Sequence, residues 1–195
     1  GILVEEFKAL YRGDELAPLR LQYKDFSEWQ NSRAQQHVIQ KQKEFWLKQF
    51  DGELPQLNLP IDYHRTSTRS FTGDSICFEI HGQQFKQLKE LAMQQNSTMF
   101  MVLLAGFNIL LSKITGQEDI IVGTATAGRK HVDLMKIIGL FFTVLPLRSQ
   151  VKEEKTFQEF LKEVENTAIE AFEKEDFHFD QLVGKLREKG TVTRD

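Results

Sequence analysis

The residues of this chain that could do acid–base or metal chemistry are few and scattered. None of the five histidines has a second histidine or a carboxylate at metal-site spacing: His37, His64, His81, His131 and His178. No G-x-S-x-G nucleophile elbow is present. Asp25 and Glu28 lie one helical turn apart, but a solvated helix face with a carboxylate near its N-terminus explains them more simply. The residues alone therefore predict neither a catalytic centre nor a metal site.

Arg129 has the most unusual surroundings of the charged residues. It ends the loop GTATAGR (residues 123–129), and the apolar stretch IIGLFFTVLPL (residues 137–147) follows a few residues later. The loop lacks the Gly-Lys-Ser/Thr ending of a phosphate-binding loop, so no nucleotide site is predicted. At this point the residues indicate a solvated arginine beside a buried strand, and any further role for Arg129 needs the rest of the chain.

Composition excludes several classes of function. The chain has 25 basic and 28 acidic residues among 195, a net charge of -3, which gives no reason to expect nucleic acid or an anionic membrane as partner. A single cysteine, Cys77, excludes an internal disulfide and fits a reducing, cytoplasmic setting. The apolar run at residues 99–111 is shorter than the ~20 residues of a membrane span. The opening GILVEEFKAL suggests a piece of a longer polypeptide.

Periodicity predicts an α/β chain. The predicted elements are a helix over 3–10, a long helix from Tyr23 to Phe50, a strand over 76–80, a helix around 85–92, a helix over 99–111 buried on all sides, strands over 119–124 and 139–147, and a last long helix from 157. Ser97 or Thr98 is placed to cap the buried helix, and Thr156 with Glu159 forms a capping box. The Pro- and Gly-rich residues 53–74 are predicted to link two packed units.

Three motifs, in order along the chain, resemble those of condensation domains from nonribosomal peptide synthetases. YKDFSEWQ (residues 23–30) is similar to Y-x-D-F-A-x-W-Q, IIGLFFTVLPLR (137–148) to I-G-x-F-x-N-T-L-x-L-R, and DFHFDQLV (176–183) to D-Y-P-F-E-Q-L-V. The motif positions singled out are Tyr23, Asp25, Trp29, Gly139, Arg148 and Asp176. The final TRD (193–195) resembles the start of R-D-x-S-R-N-P. Asn and Thr of the family pattern are Thr143 and Val144 in this chain, and His178 stands where the family has Pro.

The resemblance implies the two-lobed fold of chloramphenicol acetyltransferase. Residues 1–52 would be the trailing helices of the first lobe, 53–74 the linker, and 75–195 most of the second lobe. The parent domain would form amide bonds between thioesters carried on phosphopantetheine, in antibiotic biosynthesis. Its partners would be the upstream and downstream peptidyl carrier proteins and the adenylation domain of the same assembly line. No cofactor or metal would be bound directly.

The resemblance also implies roles for individual residues. The catalytic histidine of the H-H-x-x-x-D-G motif would lie upstream of Gly1, so this chain alone would be inactive. Arg129 would form a structural ion pair with the Asp of that motif. Phe141, Thr143 and Leu145 would line the tunnel between the lobes. Two alternatives remain: a non-catalytic module that binds carrier proteins, and a free-standing acyltransferase of the same fold.

Overall fold

The structure, a computed structural model, describes residues 1–63 and 73–191. In chain order the elements are α1 (Ile2–Tyr11), α2 (Tyr23–Gln30), α3 (Arg33–Gln49), α4 (Gly82–Gln94), α5 (Met99–Thr115), β1 (Asp119–Thr126), a short 3₁₀ helix (Val132–Lys136), β2 (Thr143–Gln150), α6 (Phe157–Glu173) and α7 (Phe179–Glu188). His64 and the terminal TRD lie outside the described residues. The predicted mixture of helices and strands is confirmed.

Polar side chains set the helix boundaries. The long helix predicted from Tyr23 is wrong: α2 ends at Gln30, and α3 starts anew after Ser32, whose hydroxyl accepts a hydrogen bond from Gln35 N at 3.4 Å. A serine at this position competes for backbone N–H groups and so favours a new helix start. The predicted capping box of α6 is confirmed, because Thr156 N donates to the Glu159 carboxylate at 2.9 Å.

Helix α5 is capped as predicted but is not buried on all sides. Thr98 Oγ1 accepts a hydrogen bond from Met101 N at 3.2 Å, and Gly116 ends the helix at φ +68°. One face is buried, with Ala105 and Asn108 fully inaccessible. The other face is exposed and carries apolar side chains at alternating intervals of three and four residues: Phe100, Leu103, Phe107, Leu110 and Ile114. The described residues therefore cover half of this helix.

The sheet that the structure describes has two strands, β1 and β2. Val151 N donates to Glu118 O at 2.8 Å, which places the start of β1 beside the end of β2 in an antiparallel pair. The strand predicted over 119–124 is confirmed, whereas the one predicted from Gly139 begins only at Thr143. The strand predicted over 76–80 is wrong. Among the described residues no neighbour pairs with this segment, and Ile76 and Phe78 are 92% and 82% exposed.

The described chain divides into two compact units, each assembled from separate segments. Unit 1 takes Gly1–Leu54, Gly123–Pro146 and the described part of Ala171–Asp195; unit 2 takes the described parts of Pro55–Val122 with Leu147–Glu170. The core of unit 1 includes Trp46, Phe50, Ile137, Phe141, Leu145, Phe177, Leu182 and Leu186. The core of unit 2 includes Leu104, Ala105, Leu111, Ile120, Leu147, Phe160, Leu161, Val164 and Ala168.

Helix length and polarity bear on membrane insertion. Within residues 1–63 and 73–191 no single helix is long and apolar enough to cross a bilayer. Taken together, α4 and α5 are long and apolar enough by length and composition, but the two helices are bent by 105° at the break between them.

Candidate functional site

The guanidinium of Arg129 is held by backbone carbonyl groups of the segment that follows it. Nη1 donates to Leu134 O and, at 2.9 Å, to Ile137 O, and Nη2 lies 3.5 Å from Gly139 O. The Arg129 Cζ atom lies 4.1 Å from the centroid of the Phe141 ring, a cation–π contact. No carboxylate of the described residues forms an ion pair with Arg129, so the predicted pair with a motif Asp stays a prediction.

Gly128 lets the loop turn immediately before Arg129. Its φ is +62°, a conformation that favours glycine. A Cβ atom at this position would lie 1.9 Å from the carbonyl oxygen of Phe141. The loop therefore approaches the backbone of the following segment more closely than any other residue would allow.

The first and second motifs meet at Gly139–Phe141. The Tyr23 hydroxyl donates to Leu140 O at 2.9 Å, and its ring lies over Gly139, where a Cβ would come within 2.1 Å of Tyr23 Cδ2. The Phe26 and Phe141 rings pack at 4.7 Å between centroids. Through these contacts Tyr23, Phe26, Gly139 and Phe141 form one packed unit against the Arg129 loop.

The other residues of the first motif make separate structural contacts. The Asp25 carboxylate accepts a hydrogen bond from Gln22 N at 2.7 Å, which caps α2 and fits the structural interpretation of this residue. Gln30 Nε2 lies 2.9 Å from His178 Nε2, so the first motif also reaches the third. Trp29 is 52% exposed and contacts Phe26 at 5.8 Å between ring centroids.

The third motif is fastened to α3 by a buried amide. Gln42 is 7% exposed; its Nε2 donates to Asp176 Oδ2 at 2.8 Å, and its Oε1 accepts from Phe177 N at 3.0 Å. One turn further along α3, Trp46 Nε1 donates to Lys174 O at 2.8 Å. These three hydrogen bonds fix the segment between α6 and α7, since each buried polar group finds a partner.

Lys130 connects the Arg129 loop to that segment. Its ammonium lies 3.0 Å from Asp176 Oδ2 and 3.7 Å from Glu175 Oε1. The Thr126 hydroxyl donates to Glu175 Oε2 at 2.6 Å. Glu175 is 8% exposed, so Lys130 and Thr126 replace the hydrogen bonds to water that its carboxylate loses on burial.

Arg148, from the second motif, lies in unit 2 and pairs across the sheet. Its guanidinium binds the Asp119 carboxylate with two prongs, Nε to Oδ1 at 3.0 Å and Nη2 to Oδ2 at 2.6 Å. Hydrogen bonding to Asp119 raises the pKa of Arg148 above its ordinary value. This ion pair joins β1 and β2 within unit 2.

The three predicted tunnel-lining residues are buried in this structure. Phe141, Thr143 and Leu145 are 5%, 6% and 1% exposed. Thr143 and Leu145 alternate along β2 with the less buried Val144, so they share one face of the strand. Their place along a tunnel stays a prediction.

Sequence reasoning missed the residues that hold the Arg129 loop and the segment between α6 and α7 in place: Gln42, Thr126, Lys130 and Glu175. A signal existed for Gln42, which falls seven residues after buried Gln35 and four before Trp46, on the inward stripe of α3. A polar residue on such a stripe requires a partner. For Lys130 no local signal exists, because its partners are 45 and 46 residues away in the chain.

Among the described residues no group of three His, Cys, Asp or Glu side chains is arranged to hold a metal ion.

Comparison with known proteins identifies the family. The condensation-domain family model matches residues 1–195. Bacitracin synthase 1 from Bacillus licheniformis is 44% identical over 99% of the chain, surfactin synthase subunit 1 from Bacillus subtilis (strain 168) 45% over 100%, and tyrocidine synthase 3 from Brevibacillus parabrevis 47% over 99%. The chain spans only 4%, 5% and 3% of these relatives.

Solved structures agree on the fold. The SgcC5 protein from Streptomyces globisporus is 26% identical with a TM-score of 0.73, and the X-domain from teicoplanin biosynthesis is 24% identical with a TM-score of 0.78. Each comparison covers 92% of this chain and 41% of the solved chain. The predicted chloramphenicol acetyltransferase-like fold is confirmed, in a chain that covers part of it. The chain belongs to the condensation-domain family of the nonribosomal peptide synthetases.

Proposed function

We propose that the intact parent domain forms amide bonds between aminoacyl or peptidyl thioesters held on phosphopantetheine arms of carrier proteins. The observation that carries this proposal is the 44–47% identity to peptide synthases over 99–100% of the chain. The amine of the acceptor attacks the thioester carbonyl of the donor; a C–N bond forms, the C–S bond breaks, and the thiol leaves. The amine loses one proton in this step, and the departing sulfur takes up one proton to become the free thiol.

Within this scheme the residues of unit 1 support the site rather than react. Arg129, held by three carbonyl oxygens and the Phe141 ring, would present its remaining donors to the Asp of the histidine motif. An ion pair there would keep the histidine-bearing loop in shape, and holding reactants in a fixed geometry accounts for much of enzymatic rate enhancement. Phe141, Thr143 and Leu145 would lie along the tunnel that admits the two arms.

The wider setting belongs to the same proposal. Residues 1–52 are assigned to the first lobe, 53–74 to the linker and 75–195 to the second lobe. Upstream and downstream carrier proteins and an adenylation domain would be partners in a cytoplasmic assembly line, and the phosphopantetheine would arrive on the carriers. This chain by itself would be inactive because it contains no His-His pair.

The test is substitution of Arg129 in the intact parent, with amide formation and unfolding both measured. Arg129→Ala should cost about 3–5 kcal/mol of stability together with activity if the ion pair is buried, against about 0–1 kcal/mol for an exposed pair. Arg129→Lys should recover only part of both, since an ammonium cannot match the planar fork of a guanidinium. Arg12→Ala is the matched control, because Arg12 pairs with Asp14 at 3.4 Å while 70% exposed. An Arg129→Ala variant that behaves like the control contradicts the assignment.

A non-catalytic binding module is the second candidate. The X-domain from teicoplanin biosynthesis, solved in complex with OxyB, shares this fold at a TM-score of 0.79 and 24% identity. The residues upstream of Gly1 in the parent decide between the two: an intact H-H-x-x-x-D-G motif supports the enzyme, and a degraded one supports the binding module. A free-standing acyltransferase is disfavoured, because 99–100% of this chain matches synthases of which it spans only 4–5%.

A further inference from the structure

Two adjacent carboxylates of unit 1 face a single lysine. The Glu175 side chain is 9% exposed, the Asp176 side chain 21%, and the Lys130 ammonium lies within 4 Å of both. A carboxylate as buried as Glu175 is costly unless it is paired and hydrogen-bonded. Lys130 is therefore held by more than a surface attraction, because releasing it would leave Glu175, among the described residues, with the Thr126 hydroxyl alone.

The segment that carries these carboxylates is anchored independently of Lys130. Gln42 of α3 binds Asp176 through its amide N–H and the backbone of Phe177 through its carbonyl. Trp46, from the same helix, binds the carbonyl of Lys174. The segment 174–177 is thus a fixed frame, and Lys130 is the side chain of loop 127–131 that reaches it.

Arg129 and Lys130 are neighbours in one loop, and their side chains bind two different segments. The Cα atoms of neighbouring residues are ~3.8 Å apart, so the position of one limits the position of the other. Arg129 is bound to carbonyl groups of residues 134–139, and Lys130 to the frame at Glu175 and Asp176. We infer that Lys130 is a positioning residue, which fixes Arg129 by clamping its loop to the α6–α7 connection. The inference rests on the proposed function and adds a residue to it.

The chain offers a matched control for Lys130. Lys185 is also in unit 1, is also 43% exposed, and pairs with Glu188 at 2.7 Å. The difference lies in the partner, since Glu188 is 65% exposed and Glu175 only 9%. Lys185→Met therefore removes an ordinary surface pair of the same lysine exposure.

The experiment compares Lys130→Met, Lys130→Arg and Lys185→Met in the intact parent. Amide formation from loaded carrier proteins and backbone hydrogen exchange of residues 127–131 are both measured. Misplacing a supporting group by about 1 Å can cost ~10²-fold in rate, so we expect Lys130→Met to lower kcat by about 10-fold or more, with KM for the carriers little changed. Exchange should rise in the loop and not elsewhere. Lys130→Arg should keep most of the rate, and Lys185→Met should match wild type.

A double-mutant cycle separates positioning from mere stabilisation. If Lys130 acts through Arg129, Lys130→Met should have little further effect on kcat in an Arg129→Ala background, whereas independent effects would multiply. Multiplying effects, or a wild-type rate and exchange in Lys130→Met, overturn the inference. If that variant does not fold, Lys130→Gln, which removes the charge but keeps a polar side chain, replaces it, and a wild-type rate there overturns the inference. If the wild-type parent forms no amide, the proposed function fails, and hydrogen exchange alone decides whether Lys130 clamps the loop.

Discussion

Gly139 has no side chain, and the ring of Tyr23 fills the space that a side chain would need. A Cβ at Gly139 would lie 2.1 Å from Tyr23 Cδ2 and 2.8 Å from Cγ. The ring cannot swing away freely, because its hydroxyl donates to Leu140 O at 2.9 Å and the ring makes a T-shaped contact with Phe141 at 5.2 Å between centroids. Gly139→Ala should therefore destabilise the domain even though it adds a single methyl group.

The size of the effect follows from these contacts. Forcing a methyl group into a filled space costs about 1–3 kcal/mol, and losing the Tyr23–Leu140 hydrogen bond about 1 kcal/mol more. The sum is a loss of about 2–4 kcal/mol in the free energy of unfolding. Because the ring packs on Phe141, which Arg129 also contacts, amide formation should fall with stability.

Urea unfolding of the intact parent domain measures this loss. Gly184→Ala in α7 is the control: outside the helix's own backbone and the two chain neighbours, no atom of the described residues lies within 4 Å of the added methyl, and a helical Gly→Ala change should stabilise by about 0.5–1 kcal/mol. Tyr23→Leu should lessen the cost of Gly139→Ala, since it removes the ring that the methyl strikes. A Gly139→Ala domain as stable as wild type, or a cost unchanged by Tyr23→Leu, would refute the steric argument.

Three further outcomes are expected. Hydrogen bonds from the N–H and hydroxyl of Thr156 hold the pKa of Glu159 below its ordinary value. The stability that the Glu159 cap contributes is therefore fully present above the ordinary pKa and is lost as the pH falls through the lowered pKa. Unfolding temperatures measured from pH 7 to pH 3 should fall less in Glu159→Gln than in wild type. Asn108 is fully buried; its Nδ2 donates to Ser149 Oγ at 3.1 Å, and its Oδ1 has no hydrogen-bond partner among the described residues. Asn108→Leu with Ser149→Ala should therefore be neutral or stabilising in urea unfolding, whereas Asn108→Ala alone should cost about 1–3 kcal/mol. Purified residues 1–195 should form no dipeptide from loaded carriers, and should bind a hydrophobic dye through their exposed apolar side chains.

Features governed by neighbouring residues could be predicted from the sequence. The starts of α5 and α6 follow from Thr98 and from the Thr156–Glu159 pair, whose hydrogen bonds close within three residues. The break between α2 and α3 is equally local, and Ser32 could have predicted it. The family motifs, read together, predicted the fold because each one encodes a packing contact.

Features that need a distant partner could not be predicted. The alternation at residues 76–80 indicates a strand, but a strand requires a neighbour, and the described residues supply none. The apolar residues of α5 predict burial without saying which half of the helix is covered. The clamp at Lys130 depends on Glu175 and Asp176, and nothing in the spacing of these residues connects them before the chain folds.

The interleaved segments of unit 1 have a consequence for biosynthesis on the ribosome. Helix α3 is complete by residue 49, but its frame partners, from Ala171 onwards, are translated much later. At about 5–20 residues per second the interval between residues 54 and 171 is roughly 6–23 s. During that time Trp46 and Phe50 have neither the Lys174 carbonyl nor α7 against them, so the nascent chain should present these rings to chaperones before unit 1 can close.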